Sequence, residues 1–172
     1  MLFRSSSAAI TQHVLDGVKL ARKYRLPRRI DDFILEHHGT MLTRYQYNQA
    51  VEAAGGDESK VDREKFRYPG PSPRSRETAI LMLADGTEAR VRAGRPANED
   101  ELRTIIRSTI EHAQSSGQLD HTQLTLSDLS KIAESFATTL RGSFHPRIEY
   151  PQAKGPSAAE DVPALPKHKI RT

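Results

Sequence analysis

His37 and His38 stand side by side and are followed by Gly39; adjacent imidazoles can supply nitrogen lone pairs to one cation. Imidazole suits zinc, iron, copper and nickel. A histidine in the last turn of a helix has a second explanation, because the negative end of the helix dipole favours it when protonated. The pair therefore takes its meaning from its companions. His13 lies upstream, and Asp85 lies downstream at the end of the run Leu81-Met82-Leu83-Ala84-Asp85. A carboxylate in such surroundings is costly unless it is paired, hydrogen-bonded or bound to a metal. The plainer alternative turns Asp85 outward or pairs it with Arg90 or Arg92. On its own, His13 reads more readily as a partly buried, hydrogen-bonded helix residue than as a ligand.

The elements that must hold these residues are helical. Ser5 to Tyr24 reads as a first helix, with Ile10, Val14, Val18 and Ala21 at three- and four-residue spacing and Ser5 to Ser7 offering caps. Gly17 weakens it slightly. Pro27 breaks that helix and opens the next at its first turn. This second helix, Ile30 to His38, turns Ile30, Phe33 and Ile34 inward and stops at Gly39. A third, about Met41 to Ala54, stops at Gly55 and Gly56, and a polar stretch then leads to Lys65. The segment Phe66-Arg-Tyr-Pro-Gly-Pro-Ser-Pro73 is too rich in proline to be helical and reads as a loop.

Helix resumes near Arg74 and runs through Val91, with a nearly all-apolar centre that predicts a buried position, and Gly94 to Pro96 end it. Asn98 is a candidate N-cap with Glu101 as its capping-box partner, and the helix behind it buries Leu102, Ile105, Ile106 and Ile110 before Gly117. Thr125 or Ser127 opens the last helix, which turns Leu129, Ile132, Phe136 and Leu140 to the core and is followed by Gly142. No segment of comparable length alternates with period two, so the chain reads as all-α, with five to six helices. Residues 1–150 form the body, and the Pro-, Ala- and Lys-rich residues 151–172 form a tail expected to be disordered.

Composition narrows the chemistry. A chain of 172 residues suits one domain, and 36% hydrophobic with 28% charged residues describes a soluble globular body. There is no cysteine, which removes disulfides and thiol catalysis and leaves His, Asp and Glu as the strong metal ligands. No run approaches the roughly 18 apolar residues that cross a bilayer, and Met1-Leu-Phe-Arg-Ser-Ser-Ser7 is too polar for a signal peptide. The chain as given reads as cytoplasmic. A net charge of +4 suggests an anionic partner, but aromatics at 6% and the absence of Trp leave little surface for stacking on bases. Charge alone establishes neither a nucleic-acid face nor a phosphate site.

The order His13, His37-His38, Asp85 recurs with distinctive flanking words. These are Gln12-His13-Val-Leu-Asp-Gly17, Ile34-Leu-Glu-His37-His38-Gly39-Thr40, Phe66-Arg-Tyr-Pro-Gly-Pro71, Met82-Leu-Ala-Asp85 and Phe144-His-Pro-Arg-Ile-Glu-Tyr-Pro151. Over residues 5–151 the chain resembles the second half of the catalytic HD domain of the seven-transmembrane HD phosphohydrolases, the membrane-bound cyclic di-AMP phosphodiesterases. The resemblance implies an HD-domain-like helical bundle around a dinuclear metal centre, iron or manganese, that activates water for attack on phosphorus. By position, His13, His37 and His38 would ligate one metal and Asp85 the other. Asp16 and Glu36 are candidate acceptors for the free imidazole N–H groups. Thr40, Tyr45 and Tyr68, with Thr43 and Tyr47 nearby, are candidate substrate contacts. The loop from Tyr68 to Pro73 would border the site, and Arg63, Lys65, Arg67, Arg74 and Arg76 could attract phosphate. His112, His121, His145 and His168 have no partners at ligand spacing and read as surface residues.

The family's metal set begins with an earlier histidine and the His-Asp pair that names the domain, and no His-Asp dipeptide occurs in these 172 residues. The expectation is a bundle incomplete at its N-terminus, a C-terminal portion whose partners in the parent protein are the upstream half of the domain and a membrane region. The parent would lie at the cytoplasmic face of the membrane and hydrolyse cyclic di-AMP to linear pApA, with the isolated chain inactive or weakly active. An alternative is a catalytically inactive module that binds nucleotide or protein. A third reading, a basic nucleic-acid-binding domain, rests on charge alone and ranks last. Without its upstream helices the chain would expose apolar faces of its first and fourth helices and associate or aggregate.

Overall fold

The computed structural model describes residues 2–142, so the tail 151–172, His145, His168 and the segment Phe144 to Pro151 lie outside the described residues. Six α-helices follow one another: α1 Leu2–Lys23, α2 Arg28–Glu36, α3 Arg44–Ala53, α4 Arg76–Gly94, α5 Glu99–Ser115 and α6 Leu126–Arg141. Two short 3-10 turns, Glu58–Lys60 and Arg63–Phe66, sit between α3 and α4. Among the described residues the only β feature is an isolated bridge between Leu42 and Arg67. The all-α expectation holds, and no described helix is long and apolar enough to cross a membrane.

The first half is a clasp of α1, α2 and α3. Val14, Val18 and Ala21 are buried, as their spacing predicts, where α1 meets α2 and α3. Ser7, expected among the caps, lies instead within α1, buried against Thr43 at 2.9 Å between hydroxyls. Gly17 has a use beyond its cost to the helix, because a Cβ there would stand 2.9 Å from Ile34 Cγ2. Its absence lets α1 and α2 approach closely at the level of His13 and His37.

Two boundaries depart from expectation. Pro27 is the residue preceding α2 rather than part of its first turn, and α2 ends at Glu36, with His37 as its C-cap. Ile30 is exposed and Phe33 and Ile34 are half-buried; the fully buried residue of α2 is Glu36. A carboxylate goes inside because Arg74 and Thr78 provide its donors, as described below. Further on, α3 starts at Arg44 because Met41 to Thr43 pair with the loop. Thr43 N–H donates to Phe66 O at 2.8 Å and Tyr68 N–H to Met41 O at 2.9 Å. Phe66 is fully buried and meets Tyr47 edge-on, with ring centroids 5.7 Å apart. That anchor fixes the following residues of the loop over the end of α2.

The second half is a layered core of α4, α5 and α6. Leu83 and Val91 pack with Leu102, Ile106, Ile110 and Ala113 and with Leu129, Ile132 and Ala137. Ile105, Phe136 and Leu140 pack against this cluster at its edge. Capping residues set the starts: Ser75 with Thr78 for α4 and Thr125 with Asp128 for α6 form capping boxes. Asn98 caps α5, while the Glu101 carboxylate reaches one residue further back than expected and accepts from Ala97 N–H at 2.8 Å. The expected all-round burial of α4 is corrected: Ile80 and Leu81 are 39% and 40% exposed. Buried Ala79, Met82, Leu83 and Val91 give α4 one inward face, which leaves the opposite side open.

Candidate metal centre

The clasp brings His13 of α1 against the histidine pair that follows α2. One ring nitrogen from each of His13, His37 and His38 lies within 4.8 Å of the others. His13 Nδ1 donates to Ile10 O, and His37 Nδ1 donates to Ile34 O at 2.7 Å. A backbone carbonyl only accepts, so both Nδ1 atoms carry the proton and both Nε2 atoms present lone pairs. Those lone pairs face each other at 3.2 Å. In neutral imidazoles nothing lies between them to bond, and a cation or a proton relieves the repulsion. This donor set fits a metal ion of the kind imidazole prefers.

His38 completes the triad and stays neutral. Burial first, and then the neighbouring His37 and His13, hold its imidazolium off and push its pKa down to about 3. Its Nδ1 lies 3.4 Å from Asp85 Oδ2. That separation is longer than a charge-assisted hydrogen bond, and Asp85 is 44% exposed, so the carboxylate does not overcome burial of the ring. The contact is one of a neutral imidazole with a carboxylate. Tyr68 stacks on His38 with centroids 4.2 Å apart, and its hydroxyl is held protonated by burial and by Asp85.

The remaining expectations divide. Asp85 does reach the site, but from the half-exposed rim of α4 rather than from an apolar interior, and Arg92 pairs with Glu88 instead. Asp16 bonds Gln12 and Lys19 on the surface, so neither it nor Glu36 accepts from a histidine; backbone carbonyls take that role. Glu36 is 2% exposed and accepts from Arg74 N–H at 3.0 Å, Arg74 Nε at 3.1 Å and Thr78 Oγ1 at 2.6 Å. It ties the end of α2 to the start of α4 and so holds the histidine pair against Asp85.

A cavity of about 450 Å³ opens beside the triad, lined in part by His37, His38, Tyr45, Tyr68 and Asp85. Thr43 also lines it, with its hydroxyl donated to Phe66 O. The other proposed substrate residues are placed differently. Thr40 is locked to Gln118, its N–H donating to Oε1 at 2.9 Å and its hydroxyl accepting from Nε2 at 2.9 Å. Tyr47 donates to Glu58. The basic residues expected to attract phosphate are largely engaged: Lys65 with Asp62, Arg67 with Glu64, Arg74 with Glu36 and Arg76 with Asp128. His121 is exposed as expected. His112 is not a simple surface residue, because with Arg44 and Arg90 it lines the same cavity. The sequence marked Arg90 only as a possible ion-pair partner of Asp85 and His112 only as a surface residue, and it carried no sign for Arg44.

No family model matches the chain. PgpH, a cyclic di-AMP phosphodiesterase of Bacillus subtilis (strain 168), is 39% identical over 148 residues, covering 86% of this chain and 20% of that protein. The crystal structure of the HD domain of the Listeria monocytogenes phosphodiesterase PgpH matches with a TM-score of 0.76 and 30% identity, covering 84% of this chain and 66% of that one. The same HD domain in complex with cyclic di-AMP matches with a TM-score of 0.77 and 31% identity, covering 86% of this chain and 68% of that one. The chain belongs to the PgpH family of HD-domain proteins. As a PgpH-family chain it spans 20% of the length of the B. subtilis relative and about two thirds of the crystallised HD domain. The fold shared with the PgpH HD domain agrees with the helical bundle that the sequence implied.

Proposed function

We propose that this chain carries part of the centre of a metal-dependent phosphodiesterase that hydrolyses cyclic di-AMP to linear pApA. The observation that carries the reading is the pair of facing Nε2 lone pairs on His13 and His37, with neutral His38 beside them. In this proposal His13, His37 and His38 hold one divalent cation, iron or manganese, and Asp85 serves a second. Such cations polarise phosphate oxygens and lower the pKa of an attacking water. The chain's own residues do the positioning. Ile10 O and Ile34 O fix the tautomers and ring planes of His13 and His37, Tyr68 holds the His38 ring by stacking, and Glu36 anchors the turn that carries the pair.

These 172 residues contain no His-Asp dipeptide, and we expect the chain by itself to bind metal at the imidazoles and to turn over slowly. Isothermal calorimetry with Mn²⁺ and then with cyclic di-AMP, followed by chromatography for pApA, tests the reading. We expect Mn²⁺ to bind and to be required for nucleotide binding, and we expect His37→Ala to abolish both. A wild-type chain that binds Mn²⁺ yet neither binds nor cleaves cyclic di-AMP would sink the proposal. Cyclic di-AMP bound without turnover would favour the inactive nucleotide-binding module. Affinity for DNA or RNA that falls steeply with salt would favour the third reading.

A further inference from the structure

The cavity beside the triad also gathers basic side chains, of which the arginines pair with no carboxylate among the described residues. Arg44 opens α3, Arg90 lies on α4 one turn beyond Gly86, and His112 stands in the last turn of α5. Three different helices thus deliver three basic side chains to one cavity wall. Arg44 Nη2 approaches the two ring nitrogens of His112 at 3.4 and 3.3 Å. Among the described residues neither Arg44 nor Arg90 forms an ion pair with a carboxylate, in contrast to Arg67, Arg74, Arg76, Arg92 and Arg103.

This clustering has a cost. Burial and the nearby Arg44 lower the pKa of Arg90, and burial with both arginines lowers that of His112. Like charges gathered in a half-buried wall are destabilising unless an anion joins them. Gly86, Ala89 and Ala93, small residues of α4, also line this cavity. One continuous cavity of about 450 Å³ therefore has imidazoles and Asp85 among its lining groups and two guanidinium groups without a carboxylate partner as well. That volume lies within the range of small-ligand sites.

We propose that Arg44, Arg90 and His112 form a phosphate subsite that holds the second phosphodiester of a cyclic dinucleotide while the first lies at the imidazoles. The inference rests on the function proposed above. A cyclic dinucleotide carries its two phosphodiesters on opposite sides of one ring, so both cannot occupy the triad. The planar guanidinium fork pairs with phosphate oxygens through two parallel N–H bonds. The subsite keeps its grip after the first phosphodiester opens, because the remaining internal phosphodiester of the linear product is unchanged. It therefore selects dinucleotides over mononucleotides.

The test compares wild type with Arg44→Gln and Arg90→Gln in calorimetry with three probes: Mn²⁺ alone, AMP with Mn²⁺, and cyclic di-AMP with Mn²⁺. We expect each variant to bind cyclic di-AMP at least roughly tenfold more weakly, the loss typical of a charged hydrogen-bonding group. Binding of Mn²⁺ and of AMP stays as in wild type. Arg44 is exposed, so its variant folds even if that of Arg90 does not, and thermal melting checks both. Wild-type affinity for cyclic di-AMP in folded variants overturns the subsite while leaving the metal-centre reading intact. Equal losses for AMP and cyclic di-AMP, or a loss of Mn²⁺ binding, also overturn it, because the arginines would then serve the triad. If wild type binds Mn²⁺ but no cyclic di-AMP, the functional reading fails and the subsite falls with it.

Discussion

His38 makes the protein's stability depend on pH in a direction that can be worked out. Its folded pKa is about 3, whereas an unfolded histidine titrates near about 6.5. Between these values the unfolded chain binds a proton that the folded protein refuses. The contribution from His38 is therefore fully present above about 6.5 and is lost as pH falls toward about 3. Melting temperatures of the metal-free protein should fall from about pH 7 to about pH 4, with a shallower slope for His38→Asn by about one proton. Equal slopes would show that the ring is not held neutral by its surroundings. Glu36 gives a second test at this scale. Its carboxylate takes three donors while 2% exposed, and Glu36→Ala strands Arg74 N–H and leaves Thr78 Oγ1 with only its weaker bond to Ser75 O at 3.2 Å. Urea unfolding should register a loss of about 2–3 kcal/mol. A neutral result would mean that water replaces the carboxylate without cost.

Between elements, the loop after α3 does more than connect. Phe66 is fully buried against Tyr47, and two residues later Tyr68 covers His38. Phe66→Ala should cost about 3–5 kcal/mol by the usual large-to-small penalty. It should also weaken Mn²⁺ binding, since the stacking partner of His38 loses its anchor; unaltered metal affinity in a folded variant would separate the loop from the site. Gly39 is a second constraint at this scale. Its φ is +51°, and a Cβ there would stand 2.2 Å from Gln118 Oε1, the atom that holds Thr40. Gly39→Ala should destabilise by at least about 1–2 kcal/mol from the left-handed backbone alone, and a stability equal to wild type would contradict that constraint. At this scale the sequence was legible in its helices and less so at their ends. Val14, Val18 and Ala21 of α1, Leu102, Ile106 and Ile110 of α5 and Leu129 and Ile132 of α6 are buried where their spacing put them, while Ile10, Ile105, Phe136 and Leu140 are only partly covered. The starts of α2 and α3 moved because Pro27 precedes its helix and because Met41 to Thr43 are claimed by backbone pairing with a distant loop. Local propensity does not carry that pairing.

For the molecule as a whole, the outer sides of α1 and α4 carry apolar groups in solvent. Leu15 and Leu20 on α1 are 42% and 56% exposed, alongside Ile80 and Leu81 on α4. Such side chains favour association, and sedimentation of the chain over a concentration series should show growing oligomers. A monomer throughout, with a cooperative melt, would rule out these residues as a sticky surface. This was expected for the first and fourth helices from sequence, although the apolar centre of α4 had suggested burial on all sides.

The sequence by itself determined the helical class, the cap residues Asn98 and Thr125 of the later helices, and the residues proposed as metal ligands, because periodicity, capping and ligand chemistry are written in short stretches of chain. Tertiary structure decided the rest. It placed His13 Nε2 against His37 Nε2 across 24 residues, drew Glu36 inside by supplying its donors from 38 and 42 residues away, and brought Arg44 to His112 across 68. Those meetings depend on how helices cross and on which side chains finish facing each other. No local pattern specifies such contacts, and the chemistry of the site is made of them.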